Sequence, residues 1–151
     1  MSASNESLVT LVQAVETDFE ELLALRIAAM RESLERIGRF DPVRARERFR
    51  SGFSASHTRH VALNGQKVGF VVVKPAQDQL LLDHLYIRPG SQGQGIGAVV
   101  LTQVFKEADE QQLPLRVGAL RESDANRFYQ RNGFEFLAEE EWDIYYLRPS
   151  R

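Results

Sequence analysis

The stretch Gln92-Gly93-Gln94-Gly95-Ile96-Gly97 lies between a strand-like segment, Leu80 to Arg88, and a helix-like segment, Gly95 to Gln111. Pro89-Gly90 is typical of a strand end, and the later segment keeps apolar residues at helical spacing. Glycines adopt positive φ without a steric penalty, and the first amides of a helix have no intrahelical acceptor. Because the helix dipole adds partial positive charge there, the pattern predicts a phosphate-binding loop.

The residues that follow the loop distinguish between classes of phosphate-binding protein. A P-loop carries Lys and then Ser or Thr after its last glycine, whereas Ala98-Val99 stand here. Gly93, Gly95 and Ala98 fit the dinucleotide fingerprint G-x-G-x-x-A. That fingerprint belongs to a βαβ unit with an acidic residue ending its second strand, and here Glu122 stands just beyond that strand. A small dinucleotide-binding protein is therefore the weaker interpretation.

The composition is that of one ordinary globular domain. The chain has 151 residues, of which 43% are hydrophobic and 26% charged, and its net charge is −2. The absence of cysteine excludes disulfides and a cysteine nucleophile. No apolar run reaches membrane-spanning length, and Met1 to Ser7 has no signal-peptide pattern. We therefore expect a single cytoplasmic domain, residues 1–151, without nucleic-acid or membrane partners.

Periodicity along the rest of the chain predicts strands interspersed with helices. The strongest hairpin signal is Asn64-Gly65. Further strands are predicted at Leu8 to Val15, Thr58 to Leu63, Lys67 to Lys74, Leu115 to Leu120, Phe134 to Glu140 and Trp142 to Leu147. Further helices are predicted from the capping-box pattern Thr17 to Glu20 as far as Ile37, from Asp41 to Phe49, and from Ser123 to Asn132. The fold class is therefore α/β or α+β, with a largely antiparallel sheet.

At this point the chain resembles the GNAT superfamily of N-acetyltransferases, whose signature is Q/R-x-x-G-x-G/A. Gln92, Gly95 and Gly97 match that signature in full. Leu85 to Pro89 looks like the family's fourth strand, and Phe128 to Phe134 looks like its fourth helix and following turn. The clearest resemblance covers residues 80–136. It implies a mixed, mostly antiparallel sheet of six to seven strands, flanked by about four helices and splayed between strands 4 and 5.

The resemblance also implies acetyl-CoA as cofactor and direct transfer of its acetyl group to a primary amine. Backbone amides of the loop from Gln92 to Gly97 would bind the pyrophosphate. Leu85, Tyr86 and Ile87, at the end of the fourth strand, would pair with the pantetheine arm as an added strand does. No metal is expected, because His57 and His60 lack supporting carboxylates.

Tyr129 matches the family's usual general acid, which protonates the departing CoA thiolate and also contacts the cofactor. A phenol has a pKa of about 10, close enough to that of a thiol for proton transfer. Tyr129 also shares a helix face with apolar neighbours, so a packing role is compatible with catalysis. Asp83 or, as the alternative, His84 is the candidate general base. Asn126 is a candidate cofactor contact or a solvated helix residue.

The acceptor amine is not identified by the sequence and could be a small molecule or part of a peptide or protein. Arg26 falls inside the apolar stripe of the first helix, where it either lines the acceptor pocket or extends to the surface. Met30 and Tyr145 are further candidates for substrate binding. The basic run Arg44 to Arg50 is a solvated helix face or the mark of an acidic acceptor. Family habit also suggests a homodimer.

A second interpretation comes from a different functional class. A non-catalytic module that binds or senses CoA would keep the loop from Gln92 to Gly97 but would need neither an acid nor a base. The lack of one clear general base between Asp83 and His84 supports this interpretation, whereas the presence of Tyr129 counts against it.

Overall fold

The protein is an α/β structure of seven strands and four α-helices, and the computed structural model describes residues 8–151. The strands are β1 Val9–Gln13, β2 Thr58–Leu63, β3 Gln66–Ala76, β4 Gln79–Ile87, β5 Leu115–Leu120, β6 Glu135–Glu139 and β7 Asp143–Arg148. The helices are α1 Phe19–Arg36, α2 Pro42–Gly52, α3 Ile96–Glu110 and α4 Ala125–Arg131. Short 3-10 turns cover Glu16–Asp18, Ala55–His57 and Pro89–Ser91. No helix in the described part of the chain is long and apolar enough to cross a membrane.

The strands form one sheet in the order β1-β2-β3-β4-β5-β7-β6. Antiparallel pairs join β1 to β2, β2 to β3, β5 to β7 and β7 to β6, whereas β4 and β5 run parallel. The parallel register runs from Leu80 opposite Leu115 to Leu82 opposite Val117, and β4 continues beyond it to Ile87. The predicted fold class, a mixed and mostly antiparallel sheet of six to seven strands flanked by about four helices, is confirmed. The splay between strands 4 and 5 stays a prediction.

Local sequence signals account for most element boundaries. Asn64 and Gly65 have φ of 54° and 85°, the left-handed pair that a tight hairpin between β2 and β3 requires. The Asp41 carboxylate accepts hydrogen bonds from the backbone N–H groups of Val43 and Arg44, so it caps α2 as its position before Pro42 predicts. Helix α2 extends three residues further than the predicted end at Phe49, to Gly52.

The start of α1 differs from the predicted capping box. The helix begins at Phe19, and its cap residue Asp18 makes no side-chain bond to the helix. The Asp18 carboxylate instead accepts the backbone N–H of Val15 at 3.0 Å and lies 2.8 Å from His60 Nε2. His60 is 3% exposed, so the buried imidazole needs this partner, and its hydrogen bond lowers the pKa of Asp18. This long-range partner cannot be read from a local pattern.

The chain divides into two compact units, each built from two stretches of sequence. Unit one comprises the described residues up to Val72 together with His84–Gly97. Its core packs one face of the sheet against α1 and α2, with Phe19, Phe49 and Phe53 forming an aromatic cluster. Further buried members of that core are Ala14, Leu22, Leu23, Phe70 and Val72.

Unit two comprises Val73–Asp83 and Ala98–Arg151. Helix α3 buries the helical stripe Val100, Leu101, Val104 and Ala108, as its spacing predicts. Buried strand residues of this unit include Leu80, Leu82, Leu115, Val117 and Tyr146. The expectation of a single domain over residues 1–151 stays a prediction.

Candidate functional site

The glycine loop, residues Gln92 to Gly97, follows β4 and the 3-10 turn Pro89–Ser91. Gly93 and Gly95 have φ of 79° and 78°, a left-handed conformation that favours glycine. A Cβ atom at either glycine would meet no atom within 4 Å, so backbone conformation alone requires glycine there. The loop from Gln92 to Gly95 is exposed, and the buried Ile96 fixes the first turn of α3.

Side-chain hydrogen bonds hold the loop to the end of β4. Gln92 Nε2 donates to the carbonyl oxygen of Ile87 at 2.8 Å, and Arg88 Nε donates to Ser91 Oγ at 2.9 Å. The backbone N–H of Arg88 donates to the carbonyl oxygen of Val68 at 2.8 Å, which ties the same point to β3. The Gln92 side chain therefore positions the loop, whereas the loop amides are the groups that could meet a ligand.

This arrangement favours an anion. Left-handed glycines alternating with other residues turn backbone N–H groups toward a common concavity, which is a recurrent phosphate-binding geometry. The N-terminus of α3 contributes further unpaired amides and partial positive charge. An extended coenzyme with a pyrophosphate fits these features, because the exposed loop from Gln92 to Gly95 leaves room for close backbone approach.

The candidate base and cofactor-binding residues of β4 lie on both faces of the strand. His84 and Tyr86 point to the face covered by α1 and α2, where both rings lie within 6.1 Å of the Phe70 ring. The Tyr86 hydroxyl donates to Met30 Sδ at 2.9 Å and lies 3.5 Å from His84 Nδ1. The structure thus brings together two candidates from β4 and Met30, a candidate from α1.

Asp83, Leu85 and Ile87 belong to the opposite face of β4, because neighbouring strand residues alternate. Asp83 Oδ2 lies 3.1 Å from Lys74 Nζ, so this carboxylate has an ion-pair partner on β3. Leu85 and Ile87 are half-buried. The two candidate bases therefore occupy different environments, an ion pair for Asp83 and an aromatic cluster for His84.

Gly69 on β3 is a supporting residue that the sequence analysis missed. A Cβ at this position would lie 2.2 Å from the carbonyl oxygen of Tyr86, so only glycine permits the close approach of β3 to β4. Glycine inside a strand pattern is a general sign of such an approach. That signal was present in the segment Lys67 to Lys74.

An arginine-lined cavity opens between the second half of α1 and the start of α2. Its volume is about 360 Å³, and we call it the arginine pocket. It is lined by Arg26, Leu34, Gly38, Arg39, Phe40, Asp41, Arg44, Ala45 and Arg48. Within the described residues, the buried Nε of Arg26 has no hydrogen-bond partner. The Arg26 guanidinium lies 5.9 Å from the centre of the Phe49 ring, and that ring lies 5.4 Å from the His84 ring.

Tyr129 lies on α4 in unit two and is 6% exposed. Its ring packs edge-on against Phe134 at 5.3 Å, and its backbone oxygen accepts the N–H groups of Asn132 and Phe134. Asn126 is one turn earlier on the same helix. Its Nδ2 donates to the carbonyl oxygens of Leu120 and Ser123 at 2.7 and 2.9 Å.

The Asn126 side chain also accepts a hydrogen bond from the Tyr146 hydroxyl at 2.8 Å. These contacts join β5, α4 and β7, so the structure gives Asn126 a role in positioning α4. Burial raises the pKa of Tyr146, which stays a neutral donor to Asn126.

Tyr145 lies on β7 and packs across Gly118 of β5. A Cβ at Gly118 would lie 2.9 Å from the Tyr145 ring, and the Arg116 guanidinium lies 4.9 Å from the centre of that ring. The Tyr145 hydroxyl donates to Glu140 Oε1 at 3.2 Å. Burial, with Asp143 nearby, raises the pKa of Tyr145. The role of Tyr145 in substrate binding stays a prediction.

Comparison with solved structures shows the fold. The PaiA N-acetyltransferase from Thermoplasma acidophilum, in complex with coenzyme A, matches with a TM-score of 0.76 and 16% identity over 93% of this chain and 98% of that one. An acetyltransferase from Thermus thermophilus matches with a TM-score of 0.71 and 20% identity over 93% and 96% of the two chains.

A third similar structure is a larger enzyme. N-acetylglutamate synthase from Neisseria gonorrhoeae, complexed with coenzyme A and N-acetyl-glutamate, matches with a TM-score of 0.69 and 17% identity. The match covers 96% of this chain and 36% of that one. No curated protein matches the sequence.

The family assignment rests on sequence. The sequence model of the acetyltransferase (GNAT) domain matches residues 55–136, more than half of the chain, and this range contains β4, the glycine loop and Tyr129. The resemblance that the signature at Gln92, Gly95 and Gly97 indicates is therefore confirmed. The chain belongs to the GNAT family of acetyltransferases and is an acetyl-CoA-dependent acyltransferase.

Proposed function

We propose that the protein transfers the acetyl group of acetyl-CoA directly to a primary amine of its acceptor. The observation that carries this proposal is the glycine loop, with left-handed Gly93 and Gly95 at the N-terminus of α3, inside the range that matches the family. Two of the structural neighbours contain coenzyme A, which supports the same cofactor here. Acetyl-CoA supplies the acetyl group as a thioester.

The chain's own residues would bind the cofactor through its backbone. The amides from Gln92 to Gly97 hold the pyrophosphate, and Gln92 keeps the loop in position through its bond to Ile87. The backbone of β4 from Leu85 to Ile87, which lies beyond the register with β5, pairs with the pantetheine arm. Met30 and Tyr86 lie on the α1 side of the same strand and line the acceptor side.

The chemistry needs one base and one acid. The amine nitrogen attacks the acetyl carbon, a C–N bond forms, and the C–S bond breaks. A base takes the proton that the nitrogen loses, and Tyr129 donates its phenolic proton to the departing thiolate. His84 is the better candidate base because it shares the α1–α2 face with Met30 and Tyr86, whereas Asp83 is paired with Lys74.

One observation favours the second candidate function, a module that binds CoA without chemistry. Tyr129 is buried and packed against Phe134, as expected of a residue that only anchors its helix. Thiol release from acetyl-CoA by the native protein separates the two functions. Replacing Tyr129 by Phe then tests the acid, since it removes the hydroxyl and keeps the ring. We expect unchanged CoA binding and at least a roughly tenfold lower turnover, about 1.4 kcal/mol of transition-state stabilisation. Equal turnover in both proteins would exclude Tyr129 as the acid.

The first test of the cofactor is thermal unfolding with acetyl-CoA, CoA, NAD and ATP in parallel. A ligand at 100 times its dissociation constant adds about 2.7 kcal/mol to the free energy of unfolding. Stabilisation by CoA and acetyl-CoA alone supports the proposal and justifies an acceptor screen for released thiol. Stabilisation by NAD instead would favour the dinucleotide-binding alternative and contradict the acetyltransferase proposal.

A further inference from the structure

The arginine pocket carries an excess of positive charge. Its lining contains four arginines and one carboxylate, that of Asp41. This carboxylate already accepts hydrogen bonds from the backbone N–H groups that begin α2. A cavity of about 360 Å³ is in the size range of small-molecule sites. The pocket is therefore large enough for a small ligand and electrostatically suited to an anion.

The arginines of α2 separate into two helix faces. Arg46 and Arg50 lie against Glu20 and Glu16, with N–O distances of 2.6 and 3.3 Å, and both guanidinium groups stack over the Phe19 ring. Arg44 and Arg48, also spaced by one helical turn, line the pocket. Neither forms an ion pair with any residue in the described part of the chain.

Arg26 adds a second, independent observation from α1. Its Nε is buried and lacks a hydrogen-bond partner among the described residues, which is costly for a polar group of a charged side chain. Buried polar groups normally have partners, so an unpartnered atom on a side chain that lines a cavity supports a ligand position. Through the Phe49 ring, Arg26 is linked to His84 on β4 within the same unit.

We propose that the arginine pocket binds an anionic group of the acceptor, a carboxylate or a phosphate, through Arg26, Arg44 and Arg48. The planar guanidinium presents paired N–H donors that match the oxygens of both groups. This inference rests on the proposed function, because it assigns the bound anion to the molecule whose amine is acetylated. The acceptor is then an amine that carries an acidic group.

The direct test measures anion binding without the coenzyme. Thermal midpoints are recorded with inorganic phosphate and with acetate at constant ionic strength, against chloride. The variant R44Q/R48Q removes two arginines of the pocket, and R46Q/R50Q removes two charges from the other face of the same helix as a matched control. General salting effects act on all three proteins alike, so only their difference is informative.

We expect a saturable stabilisation by phosphate or acetate in the native protein and in R46Q/R50Q. In R44Q/R48Q the apparent affinity should fall at least tenfold. Equal responses in both double variants, or no saturable response in the native protein, would overturn the proposal. Circular dichroism checks that each variant folds, and the single variant R44Q replaces the double one if that fails. Stabilisation by CoA, recorded separately, tests the proposed function independently of this result.

The second test identifies the source of the anion with pairs of amines. β-Alanine is compared with propylamine, and O-phosphoethanolamine with ethanolamine, by the rate of thiol release from acetyl-CoA. For one pair, we expect the acidic amine to have at least a tenfold higher kcat/KM, and R44Q/R48Q should remove this advantage through KM. An advantage in the first pair identifies a carboxylate and one in the second a phosphate. Equal rates within both pairs would show that the pocket does not select the acceptor.

Discussion

Arg26 in unit one and Arg148 in unit two are both arginines with a buried Nε that lacks a partner among the described residues, but their remaining contacts differ. Arg148 forms a two-pronged pair with Asp109, at 2.9 and 3.1 Å, and its guanidinium lies 4.1 Å from the centre of the Phe105 ring. Arg26 faces a cavity, and no carboxylate in the described part of the chain pairs with it. One arginine thus joins α3 to β7 in unit two, and the other lines a cavity in unit one.

Positive charge alone does not distinguish a ligand-binding arginine from one that stabilises the fold. Arg148 is 5% exposed, and its partner lies within the same unit, so the pair contributes to the fold. A ligand can offset the cost of a buried guanidinium nitrogen that has no partner, as at Arg26 Nε. Predictions that perturb matched positions in the two units test this distinction.

The largest effect is expected from the two crowded glycines, one in each unit. Gly69→Ala places a Cβ 2.2 Å from a backbone oxygen of Tyr86, which can move only if β3 and β4 separate. Gly118→Ala meets the ring of Tyr145, which can rotate away. We expect Gly69→Ala to lower the free energy of unfolding by about 3 kcal/mol and Gly118→Ala by about 1 kcal/mol, measured by urea unfolding. A larger loss of unfolding free energy for Gly118→Ala than for Gly69→Ala would contradict the close packing of β3 against β4 at Gly69.

The next largest effect is the difference in thermal stability between two variants, one that removes the partner of Arg148 and one that removes Arg26. Asp109→Asn removes the charge that pairs with Arg148 and leaves a buried cation without compensation, so the thermal midpoint should fall by several degrees. Arg26→Gln removes a cation that has no carboxylate partner among the described residues, so the change in unfolding free energy should stay within about 1 kcal/mol. Differential scanning calorimetry of both variants checks this. A strong loss for Arg26→Gln would mean that Arg26 stabilises the fold.

The sequence predicted the parts of the fold that depend on local patterns. The hairpin at Asn64-Gly65, the cap at Asp41 and the buried stripe of α3 follow from short-range chemistry and appear as predicted. The capping box before α1 was wrong because the 3-10 turn Glu16–Asp18 leads directly into the helix, so Thr17 is not at its start. The Asp18 carboxylate bonds instead to the backbone N–H of Val15 and to His60, 42 residues away. Long-range partners of this kind leave no periodic signal in the chain.

The candidate site was predictable to a similar extent. The glycine loop carries its own signature, because glycines at positive φ are needed wherever they occur. Which arginines of α2 line the pocket was not predictable, since the run Arg44 to Arg50 reads as one charged face. The separation into paired and pocket-lining arginines depends on Glu16 and Glu20, which precede α2 by more than 20 residues.

A smaller effect is expected at Gly93 and Gly95, where CoA binding should depend on the left-handed backbone conformation that glycine permits. Gly93→Ala and Gly95→Ala each force an L-residue into the left-handed region, at about 1–2 kcal/mol. Since no described atom lies near the added Cβ, the change should act on CoA affinity, lowering it about tenfold, more than on the fold. Gly90→Ala is the matched control, because its Cβ also meets open space and its φ is not left-handed. Titration calorimetry with CoA measures all three, and equal affinities would exclude a conformational requirement.

The smallest effect is the pH dependence of the pair in unit two. The hydrogen bonds from Arg148 hold the pKa of Asp109 below its ordinary value of about 3.9. A carboxylate with a lowered folded-state pKa stabilises the fold fully above its unfolded pKa and loses that contribution as the pH falls through the folded one. The stability difference between the native protein and Asp109→Asn should therefore be constant from about pH 5 to pH 8 and shrink below about pH 4.

Arg26→Gln is the reference for this measurement, because arginine stays charged over the whole range and no carboxylate of the described chain pairs with Arg26. Its difference from the native protein, measured by urea unfolding at each pH, should not change on acidification. If the stability difference from the native protein declined in parallel for both variants, an unrelated group would be titrating. The measurement would then not distinguish the two arginines by their partners. If only the stability difference for Asp109→Asn declined at low pH, Arg148 would stabilise the fold through its ion pair with one carboxylate, a partner that Arg26 lacks among the described residues.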